Sequence, residues 1–266
     1  MLQALIQAFS KDPDFGSITA GIKSGMKEQL VSGLSGSARQ IMLAALHQEM
    51  NRPLLVVTHN MFSAQKIAED LQEALSPDQV LIYPANELVA AEAAVSSPET
   101  LGQRIEVLVR CAQGFRGVVV IPFSGVRRYV PLPEVMANAR ILIKQGNTLQ
   151  LDSFLLEMVK LGYERVERVE SRGEMSVRGG IIDFYPVTSS IAYRVELFDD
   201  EIDSIRTFDP ADQRSIERIE EITVLPCKEL IADRERMEKA ADAAVLLLEQ
   251  QLEKMTDRQA KLRLRE

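Results

Sequence analysis

Three strand-sized apolar runs recur along the first half of the chain: LLVVTH at 54–59, QVLIYPA at 79–85 and GVVVIPF at 117–123. Between them lie stretches whose apolar residues keep a helical period. These are 37–50, with Ile41, Leu43, Ala44 and Leu46 mainly on one side, then 61–75 and 97–112. Short continuous apolar strands alternating with helices predict a parallel sheet covered on both faces. EQLVSGL at 28–34 reads as one further strand entering a glycine turn. Ahead of it, Leu2, Leu5, Ile6 and Phe9 share a helical face before Asp12-Pro13-Asp14 breaks the pattern.

The rhythm changes after residue 139. ARILIKQG and LDSFLLEMVKLG read as one more strand and helix. From Val166 to Pro226 the chain alternates polar and apolar residues, as in YRVELF and EIDSIRTF. Turn signals fall at Gly179-Gly180, Asp199-Asp200 and Asp209-Pro210. That pattern predicts an antiparallel sheet with one buried face. The expected architecture is an α/β domain at 1–139 with a parallel sheet and a smaller α+β insertion at 140–226 with an antiparallel sheet. A charged helical segment at 227–266 is expected to return to the first domain. Its helical pattern runs to Glu266 without a stop signal, which reads as a piece of a longer chain.

Charge and composition narrow the function. Acidic residues outnumber basic ones 39 to 31, for a net charge of −8. Most of the excess sits in 140–226, with 11 basic and 17 acidic residues. Such a chain is a poor general polyanion binder, so DNA contact needs a local basic patch. The basic end around Arg258, Lys261, Arg263 and Arg265 is diluted by Glu253, Asp257 and Glu266 and reads as a solvated helix face. Cys111 and Cys227 make no CxxC pair, and His47 and His59 are the only histidines. A disulfide scaffold, a cysteine zinc site and a histidine-rich metal site are therefore not expected. The N-terminus lacks the parts of a signal peptide, and no run reaches bilayer length. A cytoplasmic location without membrane partners is the expectation.

Gly33-Leu34-Ser35-Gly36-Ser37-Ala38-Arg39-Gln40 stands where a strand-to-helix phosphate loop belongs. The working pattern GxxxxGK[ST] needs a second glycine, a lysine for the β and γ oxygens and a hydroxyl for magnesium. Ala38, Arg39 and Gln40 hold those places. Arginine does not replace the compact charge of lysine, and glutamine is a poor magnesium ligand. ATP hydrolysis is not expected, and no catalytic residue is assigned. VELFDDE at 195–201 imitates a magnesium-binding acid strand, but its alternation reads as a hairpin turning at Asp199-Asp200.

Two segments carry a family resemblance. Residues 53–60 (PLLVVTHN), continued by Ala64-Gln65-Lys66, resemble helicase motif Ia of the UvrB nucleotide-excision-repair family. Residues 172–186 (RGEMSVRGGIIDFYP) and 193–203 (YRVELFDDEID) resemble the UvrA-binding insertion shared by UvrB and the bacterial transcription-repair coupling factor (Mfd) family. The degenerate loop resembles the coupling factors, since UvrB keeps a working one. The resemblance implies a UvrB-like, degenerate P-loop NTPase-like helicase domain carrying a UvrA-binding insertion. It implies UvrA as the partner. ATP, RNA polymerase and DNA then belong to downstream parts of a longer factor, a DNA translocase, so no cofactor is expected here. Between Tyr83 and Arg104 no aromatic residue follows Tyr83, so the DNA-gripping hairpin of UvrB is expected to be missing.

The family's UvrA-contacting positions fall on Arg178, Arg194 and Phe198. In YRVELF, Arg194, Glu196 and Phe198 share one strand face, and Val195 and Leu197 the other. With Val195 and Leu197 inward, an exposed Phe198 stands beside an exposed Arg194. The plainer readings put Phe198 in the core and pair Arg178 with Asp183. Two functions follow: a catalytically inert module that recruits UvrA, or a helicase-like half domain keeping weak ATP or DNA binding through Gly33, Gly36 and Arg39.

Overall fold

The computed structural model describes residues 2–85, 97–231 and 234–254. Helices α1 (Leu2–Phe9) and α2 (Pro13–Lys23) precede α3 (Ala38–Met50), β1 (Leu54–Thr58), α4 (Met61–Ala74) and β2 (Val80–Ile82). Then come α5 (Pro98–Ala112), β3 (Val118–Pro122), α6 (Phe123–Val126) and α7 (Pro133–Asn138). The Asp12 side chain caps α2 and Asn60 caps α4, each accepting a backbone N–H that the first helical turn leaves unpaired. The strands form a parallel sheet in the order β1-β3-β2. Met42, Ala44, Ala45, Ala64, Ile67 and Leu71 close one face of it over Val118 and Val120.

Two expectations are corrected here. Residues 28–34 form no strand; Leu30 is 96% exposed and Val31 is exposed too, so the glycine loop follows unpaired backbone. A strand earns its place by apolar burial, and this segment has none. The sheet is also not covered on both faces throughout. Val107 of α5 packs with Leu81, Tyr83 and Ile121, but Leu55 and Val57 of the edge strand β1 stay exposed. The residues expected to lack a DNA-gripping hairpin fall mostly on 86–96, outside the described residues, as does the basic end at 258–265.

The segment expected as an insertion contains β4 (Ile141–Lys144) and β11 (Glu221–Val224), which pair antiparallel with Ile141 opposite Val224. Between them lie α8 (Leu151–Lys160), β5 (Glu164–Arg165), β6 (Glu174–Arg178), β7 (Ile181–Phe184), β8 (Ala192–Phe198), β9 (Glu201–Phe208) and β10 (Ser215–Ile219). The six strands β5 to β10 form one sheet in sequence order, antiparallel except for β5-β6. Its inner face, including Met175, Ile182, Phe184, Val195 and Ile205, packs on Phe154 and Met158 of α8 and on Ile105 and Val109 of α5. Helix α5 thus buries opposite sides against two sheets. That explains why both Gly102 and Arg104 are buried in its middle. Helix α9 (Arg234–Lys254) follows, with Met237, Val245, Leu246 and Leu247 exposed. Among the described residues no helix is long and apolar enough to cross a membrane.

Candidate functional site

The outer face of the six-stranded sheet is organised by register. One row runs Ser176, Asp183, Arg194, Arg206 across β6 to β9, and the next runs Arg178, Ile181, Glu196, Ser204. Phe198 follows opposite Glu201, beyond a β-bulge that takes up Asp203. The β8 alternation is the expected one: Val195 is fully buried, and Phe198 is 79% exposed next to the hairpin turn at Asp199, whose φ is +58°.

Asp183 lies at the centre of this face and is 1% exposed. Its carboxylate accepts Arg194 Nε at 2.7 Å on one oxygen, and Arg194 Nη2 at 2.9 Å and Arg178 Nη2 at 2.7 Å on the other. The Arg194 pair is the planar bidentate fork that guanidinium geometry favours. That hydrogen bonding, foremost, raises the Arg194 pKa further above its ordinary value. Arg194 also reaches the Gln213 carbonyl and lies 4.8 Å over the Phe208 ring. The expected exposed Arg194 is therefore corrected: its side chain is only 15% exposed. Arg178 does pair with Asp183, yet its side chain remains 52% exposed. Two guanidiniums share one carboxylate, so one positive charge is left over on an otherwise acidic domain. A charge-reversing Arg194→Glu would press a carboxylate against Asp183 and is expected to unfold the sheet, so it cannot test binding cleanly.

A second polar cluster went unread in the sequence. Glu229 accepts Arg104 Nε at 2.6 Å and Arg128 Nη2 at 3.2 Å, and the Tyr83 hydroxyl donates to it at 3.4 Å. It ties the chain leaving the insertion to α5 and the parallel sheet. The available signal was Arg104 itself, which falls on the apolar stripe Leu101, Ile105, Leu108 of α5. Burial, then the Glu229 charge, pushes the Tyr83 phenol up to about 12. The folded state thus favours neutral Tyr83, and that contribution is whole below about pH 10 and lost as pH rises toward 12. Alkaline unfolding followed by circular dichroism is expected to steepen across that window. Tyr83→Phe should flatten part of it, with Cys227, pushed up to about 11 by burial, and Tyr163 and Cys111, also pushed up by burial, contributing to the remainder.

The glycine loop has Gly33 and Gly36 at φ +83° and +57°. Ser37 makes no side-chain cap at the start of α3, and Ala38 is its first residue. Gln40 is spent on Asp70 of α4 at 2.8 Å. Arg39 lines a cleft of about 370 Å³ with Val57, His59, Phe62 and Lys66. His47 is buried on α3, and no cluster of three or more metal-ligating side chains occurs among the described residues.

Residues 141–230 match the family described as the UvrB interaction domain. The chain is 46% identical over 238 residues to a transcription-repair-coupling factor of Bacillus subtilis (strain 168), covering 89% of this chain and 20% of that protein. It is 36% identical over 211 residues to one of Staphylococcus aureus (strain bovine RF122 / ET3-1), covering 79% of the chain and 18% of the relative. The chain spans about a fifth of the length of the relatives it matches.

Proposed function

We propose, for a chain that belongs with the transcription-repair-coupling factors and carries a UvrB interaction domain, that it is the module recruiting UvrA in transcription-coupled nucleotide-excision repair in the bacterial cytoplasm. The observation that carries this reading is the outer sheet face. It presents an exposed Phe198 together with a half-exposed Arg178 whose charge is only partly matched. An aromatic anchor beside an arginine is the composition of an interface hot spot. Arg194 serves the same surface by holding Asp183 in place, a positioning role. RNA polymerase and DNA belong, on this reading, to other parts of a longer factor.

The first domain acts as an inert scaffold. The loop lacks its strand, and Gln40 is committed to Asp70. These features support the reading over a nucleotide-binding half domain. Titration calorimetry with purified UvrA is the test. Phe198→Ala is expected to weaken binding by roughly 30-fold and Arg178→Ala by roughly tenfold, both with unchanged melting. Wild-type affinity in both variants overturns the assignment. ATP with magnesium is expected to leave the melting temperature unmoved; a dose-dependent rise favours the nucleotide-binding reading.

A further inference from the structure

Strand β6 keeps part of its edge without a partner strand. β5 pairs with it only at Glu164 opposite Glu174 and Arg165 opposite Met175. The Val166 N–H then donates to the Met175 carbonyl at 2.8 Å. After Val166 the chain turns away, and the Glu167 carbonyl accepts the Ser176 hydroxyl instead of pairing with the β6 backbone. Backbone groups two residues apart on a strand point to the same side. The N–H and C=O of Val177 therefore face the edge that β5 does not reach, and among the described residues no strand covers them. They open onto a groove of about 480 Å³ lined by Arg165, Val166, Glu167, Ser176, Val177 and Arg178.

The groove shares Arg178 with the sheet face described above, so the two surfaces are continuous. An open strand edge is a template for an added strand, and main-chain pairing there supplies affinity without demanding a particular sequence. Specificity has to come from the side chains at the rim. Asp183 matches only one of the Arg178 and Arg194 guanidiniums, while Arg165 and Glu167 offset each other along the groove, so the unmatched positive charge lies at Arg178. The complementary occupant is extended and carries a carboxylate.

We propose that the partner adds such an acidic extended segment to β6, pairing its main chain with Val177 and placing its carboxylate on Arg178. The inference rests on the UvrA reading and specifies which part of that protein's surface to look for.

Val177→Pro is the sharpest probe. It removes one N–H that the folded chain leaves unused, at an edge position where proline is tolerated. Ser176 is already extended, as a residue before proline must be. The expected result is about tenfold weaker UvrA binding, with the fold kept and the melting temperature lowered modestly, because the Val177 side chain also packs against the core beneath the sheet. Amide exchange at Val177 in the wild-type complex gives a second readout that does not depend on the variant folding. Exchange slowed by a hundredfold or more on UvrA addition supports strand addition. Wild-type binding with unchanged Val177 exchange overturns it and leaves recruitment by the sheet face standing. Absence of wild-type binding overturns both.

Discussion

Replacing Asp183 with alanine is expected to destabilise the insertion by about 3–5 kcal/mol. The carboxylate is buried and accepts three guanidinium hydrogen bonds. Its removal leaves Arg194 charged and mostly buried, with only the Glu196 carboxylate, already bonded to Ser204 and Arg206, as a nearby counter-charge. The cost comes from that orphaned ion, since the pair itself contributes little against its own desolvation. Arg178 adds little to the total, because half its surface already meets water. A melting temperature lower by on the order of 10 °C follows for a unit of this size. Asp183→Asn keeps the volume and one acceptor, so it should fall between alanine and wild type. Thermal denaturation by circular dichroism reads the effect. A shift under about 2 °C for the alanine variant would show that solvent reaches the pair and that Arg194 can turn outward.

Gly102→Ala, at the one glycine of α5, should be strongly destabilising. A Cβ there would stand 2.0 Å from the Val187 carbonyl oxygen and 2.7 Å from its carbon. Both are backbone atoms, so no rotamer change relieves the clash. The helix has to move off the insertion, opening the core that Ile105 and Val109 share with Phe184 and Val195. Alanine's better helix propensity, about 1 kcal/mol, works the other way and is smaller than the usual 1–3 kcal/mol of overpacking plus the lost contact. Differential scanning calorimetry is expected to show the single transition broadening or splitting as the insertion uncouples. Gly16→Ala in α2 is the matched control. Nothing lies within 4 Å of its added carbon, so the same exchange there should be neutral or stabilising.

The two larger sheets were legible because each wrote its period into the chain. The continuous runs at β1 and β3 and the alternation of β8 and β9 admit few other arrangements. For Phe198 the alternation specified only that it lies on the face opposite Val195 and Leu197, not which of the two faces meets the core. The burial of Arg194 could not be read, since it depends on Asp183 lying opposite it across β7 and β8, a register that local pattern does not specify. EQLVSGL misled for a related reason. Its apolar residues fit a strand, but a strand also needs a neighbour, and this segment pairs with none among the described residues. Glu229 was hidden among the charges of a solvated stretch; only the three-dimensional meeting with Arg104 singles it out.

That meeting bears on how the molecule carries mechanical load. Ile141 and Val224 face each other, so the chain enters and leaves the insertion at adjacent points. Tension drawn across those points would peel β4 from β11 one register pair at a time, the geometry in which hydrogen-bonded strands resist least. Glu229 lies just beyond β11 and is anchored to Arg104 and Arg128 in the first domain. A pull from residues beyond Glu229 meets that anchor first and passes into α5, leaving β4 and β11 slack. Under such a pull the two ion pairs of Glu229 would act as a strain relief, and the sheet bearing Phe198 and Arg178 would keep its shape.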